Sequence, residues 1–245
     1  MIVIGVDCAT QPRNIGLAVG EFSASTPGRL LDADRLGSHS SILEKVASWM
    51  PMREACLLAL DAPLGWPAPI GTALRSHGAG QAISVSADQM FRRETDRVIK
   101  QKLGKQPLDV GADRIARTAH AAVWFLGELR NATGYPIPLA WSAEVAAPSA
   151  IEVYPAATLR AHGLRSGQYK KAEQEPRRKE ITKGLAARMT LDADLRSKLV
   201  SSDHVLDAAI CVLAGFDFLD GSCLAPEDHD LAIKEGWIWA RSLAA

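Results

Sequence analysis

Acidic residues end or interrupt several apolar stretches of the sequence. Asp7 follows Met1-Ile-Val-Ile-Gly-Val, and Asp61 follows Cys56-Leu-Leu-Ala-Leu. Such runs form the cores of strands or helices, and a carboxylate at their edge is costly to bury unless it is paired, hydrogen-bonded or bound to a cation. Several carboxylates in one place repel each other unless a divalent ion lies between them. The pattern therefore predicts a metal site, and its candidate catalytic residues are Asp7, Asp61, Glu152, Asp203 and Asp207.

Two of these acids share one face of a predicted helix over Ser202–Phe218. Asp203 and Asp207 are four residues apart, and the rest of the helix is so apolar that this acidic face must point at something polar inside the protein. Asp203 alone could be an N-terminal acid favoured by the helix dipole. Glu152 alternates with Ile151 and Val153, and it is a candidate ligand, a candidate base or the partner of an arginine.

An all-carboxylate site has a defined chemistry. Hard oxygen ligands select Mg²⁺ or Mn²⁺ rather than zinc. The usual reaction at such ions is in-line displacement at phosphorus. The predicted metal ligands are Asp7, Asp61, Asp207 and Asp203, and neither a P-loop nor a Gly-x-Gly-x-x-Gly fingerprint is present.

A second cluster, Phe91-Arg-Arg-Glu-Thr-Asp-Arg97, supplies candidate substrate contacts. Arginine side chains match phosphate oxygens with paired hydrogen bonds, and Thr95 or Asp96 could hold them in place. An ion-pair network within the fold is the alternative. The predicted substrate-binding residues are Arg75, Arg92, Arg93, Thr95, Asp96 and His204.

Composition limits the function classes. The chain has 245 residues, no net charge, 47% apolar and 23% charged residues, which is typical of a globular protein and argues against indiscriminate binding to nucleic acid. Basic stretches at 91–105 and 165–183 could follow phosphates or form solvated helix faces. No stretch is long enough to span a membrane, so we expect a cytoplasmic protein with no membrane partner. The four cysteines lack Cys-x-x-Cys spacing, so neither a zinc knuckle nor a redox pair is indicated. Three of them lie in or beside apolar runs, which favours buried free thiols.

The elements that must position these residues alternate between strand and helix patterns. We expect a single α/β domain over residues 1–245, with an inserted excursion over 65–112 that contains short helices. The clearest helix is predicted at Asp113–Ala132, and an aromatic strand at Glu235–Ala240. The other predicted strands are Met1–Asp7, Ile15–Glu21, Arg29–Leu36, Cys56–Asp61 and Ala150–Tyr154.

Six motifs in order resemble one family, the domain of unknown function 429. They are Ile4-Gly-Val-Asp7-x-Ala9, Leu60-Asp61-Ala-Pro63-Leu-Gly65, Arg93-x-Thr95-Asp96, Glu152-Val-Tyr-Pro155-Ala156-Ala157, Asp203-His-x-x-Asp207-Ala208-Ala209 and Glu235-Gly-Trp237-Ile238. The resemblance implies a nuclease of RNase H-like fold. It also implies a five-stranded mixed sheet with its first three strands antiparallel, flanked by helices, with a helical insertion and a C-terminal extension.

That fold places one acid on the first strand, one at the end of the fourth and one or two on the C-terminal helix. Asp7, Asp61 and Asp207 match these places, His204 or Asp203 takes the additional helical position, and Glu152 has no counterpart. The leading hypothesis is a Mg²⁺- or Mn²⁺-dependent phosphodiesterase acting on DNA or RNA. The alternatives are a nucleotide-binding phosphotransferase of the actin-like superfold and a non-catalytic binding module. The sequence does not indicate an oligomeric state.

Overall fold

The protein is described by a computed structural model that covers residues 1–51, 54–111 and 113–243. The predicted end of the insertion, residue 112, and the last two residues lie outside the described residues. The centre of the fold is a sheet of five strands: β1 (Ile2–Asp7), β2 (Gly16–Glu21), β3 (Arg29–Arg35), β4 (Cys56–Asp61) and β5 (Ser149–Glu152). Their order is β3-β2-β1-β4-β5, with β1 to β3 antiparallel and β4 and β5 parallel to β1. The predicted RNase H-like α/β fold is confirmed.

Helices cover both faces of the sheet. They are α1 (His39–Trp49), α2 (Ala68–Leu74), α3 (Ala87–Phe91), α4 (Glu94–Leu103), α5 (Asp113–Thr133), α6 (Pro155–Ala161), α7 (Glu175–Ala186), α8 (Ala193–Ser201), α9 (Asp203–Leu219) and α10 (His229–Glu235). One face packs on α1 and α5, and the other packs on α9, with α6 to α8 beyond it. Side chains alternate between the two faces, so Val3 and Leu57 belong to the α9 core and Ile4 and Leu58 to the α1–α5 core.

The α9 helix lies unusually close to the sheet. Two glycines make this approach possible, because a Cβ at Gly5 would overlap the carbonyl oxygen of Ala208 and one at Gly16 would overlap that of His204. Enclosed between the sheet and the outer helices, α9 is buried continuously from Val205 to Phe218. This position explains its almost uniformly apolar sequence, and it fixes the start of α9 against the end of β1 and the beginning of β2.

The segment between β4 and α5 contains the predicted short helices, α2, α3 and α4. It packs against α6 and the C-terminal part of the chain, where α4 contacts α10. The predicted strand at Glu235–Ala240 is wrong. Glu235 ends α10, and only one isolated bridge, between Glu152 and Ile238, continues the sheet there.

Candidate metal centre

Asp7 and Asp61 end neighbouring parallel strands and face each other. The register of β1 and β4 pairs Asp7 directly with Asp61. The carboxyl ends of parallel strands meet at one edge of a sheet, and the alternation along each strand puts both side chains on the face that carries α9. The same alternation places Glu152, which pairs with Leu60, on the opposite face. The strand register therefore puts the side chain of Glu152 on a different face of the sheet from those of Asp7 and Asp61.

The third acid comes from the second turn of α9. Ser202 caps this helix by accepting a hydrogen bond from the backbone N–H of Val205. Asp207 is 1% exposed. Carboxylate oxygens of Asp7, Asp61 and Asp207 all lie within 4.8 Å of one another. Asp203, one turn earlier and partly exposed, is not part of this group, which we call the aspartate triad.

Burial makes the charge of the triad unfavourable. It raises the pKa of Asp7 from 3.8 to about 6, against the lowering effect of a hydrogen bond to His204. Burial also raises the pKa of Asp61 well above its ordinary value, and the negative charges of Asp7 and Asp207 add to the shift. Three carboxylates in one buried place are stabilised by positive charge, which is the condition a divalent cation satisfies.

Two residues that the sequence reasoning missed hold Asp207. The Tyr169 hydroxyl donates to Oδ1 of Asp207 at 2.6 Å, and Lys170 Nζ lies 2.6 Å from Oδ2. Burial would lower the pKa of Lys170, but Asp207, Asp61 and Asp7 raise it above its ordinary range. Oδ2 of Asp207 is buried and accepts no well-oriented hydrogen bond from the described residues. Its nearest charged partner is the Lys170 ammonium, so one positive charge already faces the triad.

His204 lies beside the triad. Its Nδ1 is 2.6 Å from Oδ2 of Asp7, and this hydrogen bond raises the pKa of the imidazole. The ring is partly exposed, with 27% of its side-chain surface accessible. His204 was predicted to contact substrate. In the structure its hydrogen bond is to Asp7, and it orients that carboxylate of the triad.

Arg93 is engaged inside the protein, which corrects its predicted role as a phosphate contact. Its Nε and one terminal nitrogen donate to Asp96, and both terminal nitrogens donate to Glu152, at 2.7 to 3.3 Å. A further hydrogen bond reaches the carbonyl oxygen of Glu235. A guanidinium has five N–H groups, so none is left for a phosphate. Arg93 is 1% exposed, and Glu152 and Asp96 raise its pKa against the lowering effect of burial.

Glu152, predicted as a catalytic acid, belongs to the same network, which we call the Arg93 cluster. Besides Arg93 it accepts a hydrogen bond from the backbone N–H of Leu64, three residues after Asp61. Burial raises the pKa of Glu152 more than Arg93 lowers it. Of the alternatives for this residue, pairing with an arginine is the one observed, and the cluster fixes the turn that follows Asp61.

The remaining predicted substrate contacts also have other positions. Thr95 is buried and accepts a hydrogen bond from the backbone N–H of Ile238, whereas Asp96 holds Arg93. Arg92 pairs with Asp88 and Asp109. Arg75 is exposed at the end of α2. Neither Arg75 nor Arg92 lines the cavity beside the triad.

This cavity has a volume of about 420 Å³, in the range of small-molecule sites. Asp7 and Asp61 line one side of it, together with Tyr169 and Lys170. The inserted segment contributes Lys105, Pro107 and Leu108, and α5 contributes Ile115 and Thr118. The cavity therefore combines carboxylates, two lysines and an apolar wall.

The protein is an α/β protein of RNase H-like fold that has three aspartates at one end of its sheet. The chain belongs to the family described as "Protein of unknown function (DUF429)", whose model matches residues 5–231. The family suggested by the sequence motifs is therefore confirmed. No curated protein matches the chain significantly.

Solved structures with a similar course of the chain include RuvC of Thermus thermophilus. RuvC in complex with a Holliday junction substrate superposes with a TM-score of 0.42 at 13% identity, over 89% of this chain and 94% of that one. The structure of RuvC alone gives a TM-score of 0.41 at 13% identity, over 89% and 95% of the two chains. Separately, none of the helices within the described residues has the length and apolar character needed to cross a membrane.

Proposed function

We propose that this protein is a Mg²⁺- or Mn²⁺-dependent phosphodiesterase that hydrolyses DNA or RNA. The observation that carries the proposal is the aspartate triad, whose oxygens converge within 4.8 Å from two strands and a helix. All-oxygen ligands suit these two ions. The chemistry of the site fits a cation, because three carboxylates converge with one lysine as their nearest cation, and the pKa values of Asp7 and Asp61 are raised by burial.

The residues around the triad have distinct tasks in this proposal. Asp7, Asp61 and Asp207 hold the metal, and a bound divalent ion supplies positive charge to the phosphoryl group during displacement. Tyr169 and His204 orient Asp207 and Asp7 through hydrogen bonds of 2.6 Å. Lys170, whose side chain is 58% exposed, reaches from the cavity wall and is placed to contact a phosphate oxygen. Glu152 and Arg93 position the turn after Asp61.

We further propose that residues 65–112 are an insertion into a single domain that spans the chain. Its helices lie between β4 and α5 in the chain, and its residues Lys105, Pro107 and Leu108 form one wall of the cavity. In this arrangement the core of the fold supplies the ligands, and the insertion shapes the space for the substrate.

A second candidate function is a binding module without catalysis. It is favoured by Lys170, whose ammonium group lies 2.6 Å from Asp207 and already supplies a positive charge to the triad. In that case the acids would be neutralised internally and no ion would bind.

The test compares hydrolysis and metal binding in matched variants. Labelled single-stranded and duplex DNA and RNA are incubated with Mg²⁺, Mn²⁺ or chelator, and Mn²⁺ binding is measured by calorimetry. We expect metal-dependent cleavage that is lost in Asp7→Asn, Asp61→Asn and Asp207→Asn. Asp203→Asn is the control, because it makes the same change on the same helix outside the triad. Absence of both cleavage and Mn²⁺ binding in the unmodified protein would favour the binding module.

A further inference from the structure

A basic concavity lies next to the metal cavity. It is formed by the end of α6, the loop that follows it and the start of α7, and three arginines line it: Arg160, Arg165 and Arg177. The loop between them bends at Gly163 and Gln168, both of which have left-handed backbone angles (φ +70° and +63°). We call this surface the arginine concavity.

The charge of this concavity is largely free. No acidic residue lines it, and the side chains of Arg160 and Arg165 have no ion pair or hydrogen bond within the described residues. Arg177 donates to Glu180, but its Nε has no acceptor there. By contrast, Arg178 in α7 and Arg188 just after α7 donate hydrogen bonds to acceptors within the protein. Arginines without internal partners are suited to bind an external anion.

The concavity is continuous with the proposed active site. Ser166 lines both the concavity and the metal cavity, and the same loop continues to Tyr169 and Lys170, which contact Asp207. On its other side, the Arg160 guanidinium lies against Gly104, the residue before Lys105 of the cavity wall. The loop that joins the two sites, residues 163–171, carries Arg165, Lys170 and Lys171 and no acidic residue.

We infer that the arginine concavity binds the backbone phosphates of an unpaired nucleic-acid strand whose adjoining phosphodiester lies at the triad. The inference rests on the proposed function and adds the substrate class. A positively charged groove that follows the backbone is how proteins bind single strands without reading sequence. Two residues of the triad, Asp7 and Asp61, line a cavity of about 420 Å³, which suits one unpaired nucleotide better than a duplex.

The test measures binding without metal, so it does not depend on catalysis. A fluorescein-labelled oligothymidylate is titrated with the protein in chelator at several salt concentrations, and binding is followed by anisotropy. For Arg160→Ala/Arg165→Ala we expect weaker binding, with a salt slope reduced by about 0.7 for each phosphate that is no longer neutralised. The matched control is Arg29→Ala, an exposed arginine at the opposite end of the sheet. Its affinity and slope should equal those of the unmodified protein.

Three results would overturn the inference: unchanged affinity and slope in the double variant, an equal loss in Arg29→Ala, or tighter binding of a duplex of the same length. Thermal unfolding of each variant shows that the change is not a loss of fold. The proposed function fails separately. If binding depends on the arginines but no metal-dependent cleavage occurs, the phosphodiesterase proposal is wrong and strand binding by the concavity stands. If cleavage occurs but binding does not depend on the arginines, strand binding by the concavity is wrong and the phosphodiesterase proposal stands.

Discussion

Two clusters of buried acids line the same cavity and differ in how their charge is balanced. In the Arg93 cluster, Glu152 and Asp96 share a guanidinium that uses all of its N–H groups on internal acceptors. In the aspartate triad, three carboxylates meet, and their side-chain partners among the described residues are a hydroxyl, an imidazole and the ammonium group of one exposed lysine. The first arrangement is complete without a ligand, and the second is not. Under the proposed function, this difference separates a structural acid cluster from a metal-binding one.

The largest expected effect is the loss of stability when the Arg93 cluster loses its arginine. Arg93→Ala leaves Glu152 and Asp96 buried without their cation, and removal of one partner of a buried ion pair typically costs about 3–5 kcal/mol. Urea unfolding should show this loss in free energy. Arg92→Ala, next in sequence but on partly exposed pairs, should cost less than about 1 kcal/mol. Equal losses in the two variants would mean that the Arg93 cluster does not have the structural role assigned to it.

The second effect is the stabilisation that we expect when Mn²⁺ binds to the aspartate triad. Mn²⁺ at about 100 times its dissociation constant should raise the free energy of unfolding by about 2.7 kcal/mol, because it binds the folded state. Thermal unfolding with and without the ion measures the gain. Asp207→Asn should abolish it and Asp96→Asn, in the Arg93 cluster, should retain it. If Asp207→Asn kept the stabilisation by Mn²⁺, the ion would bind somewhere other than the triad.

Two identical chemical changes should have opposite signs in the absence of metal. Glu152→Gln weakens charged hydrogen bonds to Arg93 and should lower the free energy of unfolding by about 1–3 kcal/mol. Asp61→Asn removes a carboxylate that Asp7 and Asp207 repel, and should raise the free energy of unfolding. Urea unfolding in chelator tests both. A loss in both variants would show that the triad is balanced without a ligand.

The smallest effect concerns the lysine that partly balances the triad. Lys170→Ala removes an ion pair between an exposed lysine and the buried Asp207, and should lower the free energy of unfolding by about 1 kcal/mol. It also removes a competing cation, so the Mn²⁺ affinity measured by calorimetry should increase. Lys171→Ala, the neighbouring exposed lysine, is the control. A lower Mn²⁺ affinity in Lys170→Ala would mean that the lysine supports metal binding rather than competing with it.

The sequence predicted what local patterns encode. Asp7 and Asp61 stand at the ends of apolar strand patterns, and Asp207 interrupts an apolar helix, so each carried a signal of its own. The pairing of Arg93 with Glu152 joins residues 59 positions apart, and no periodicity reports such a contact. Tyr169 and Lys170 lie in an irregular segment, where only the basic composition of 165–183 gave a hint.

The same limit explains the error at the C-terminus. The aromatic stretch Trp237-Ile-Trp239 reads as a strand, but its burial comes from packing beside α9 and β5 rather than from a ladder. Gly236 there adopts φ +82° next to Glu152 and Arg93, so its backbone is shaped by the Arg93 cluster. Tertiary contact overrides propensity in such segments.

The most direct test of the triad is anomalous diffraction from crystals soaked in Mn²⁺. We predict a manganese peak about 2.1 Å from carboxylate oxygens of Asp7, Asp61 and Asp207, the distance typical of small hard cations, with Lys170 Nζ moved away from Asp207. A saturating soak that leaves no peak at the triad, with Lys170 still paired to Asp207, would contradict the account.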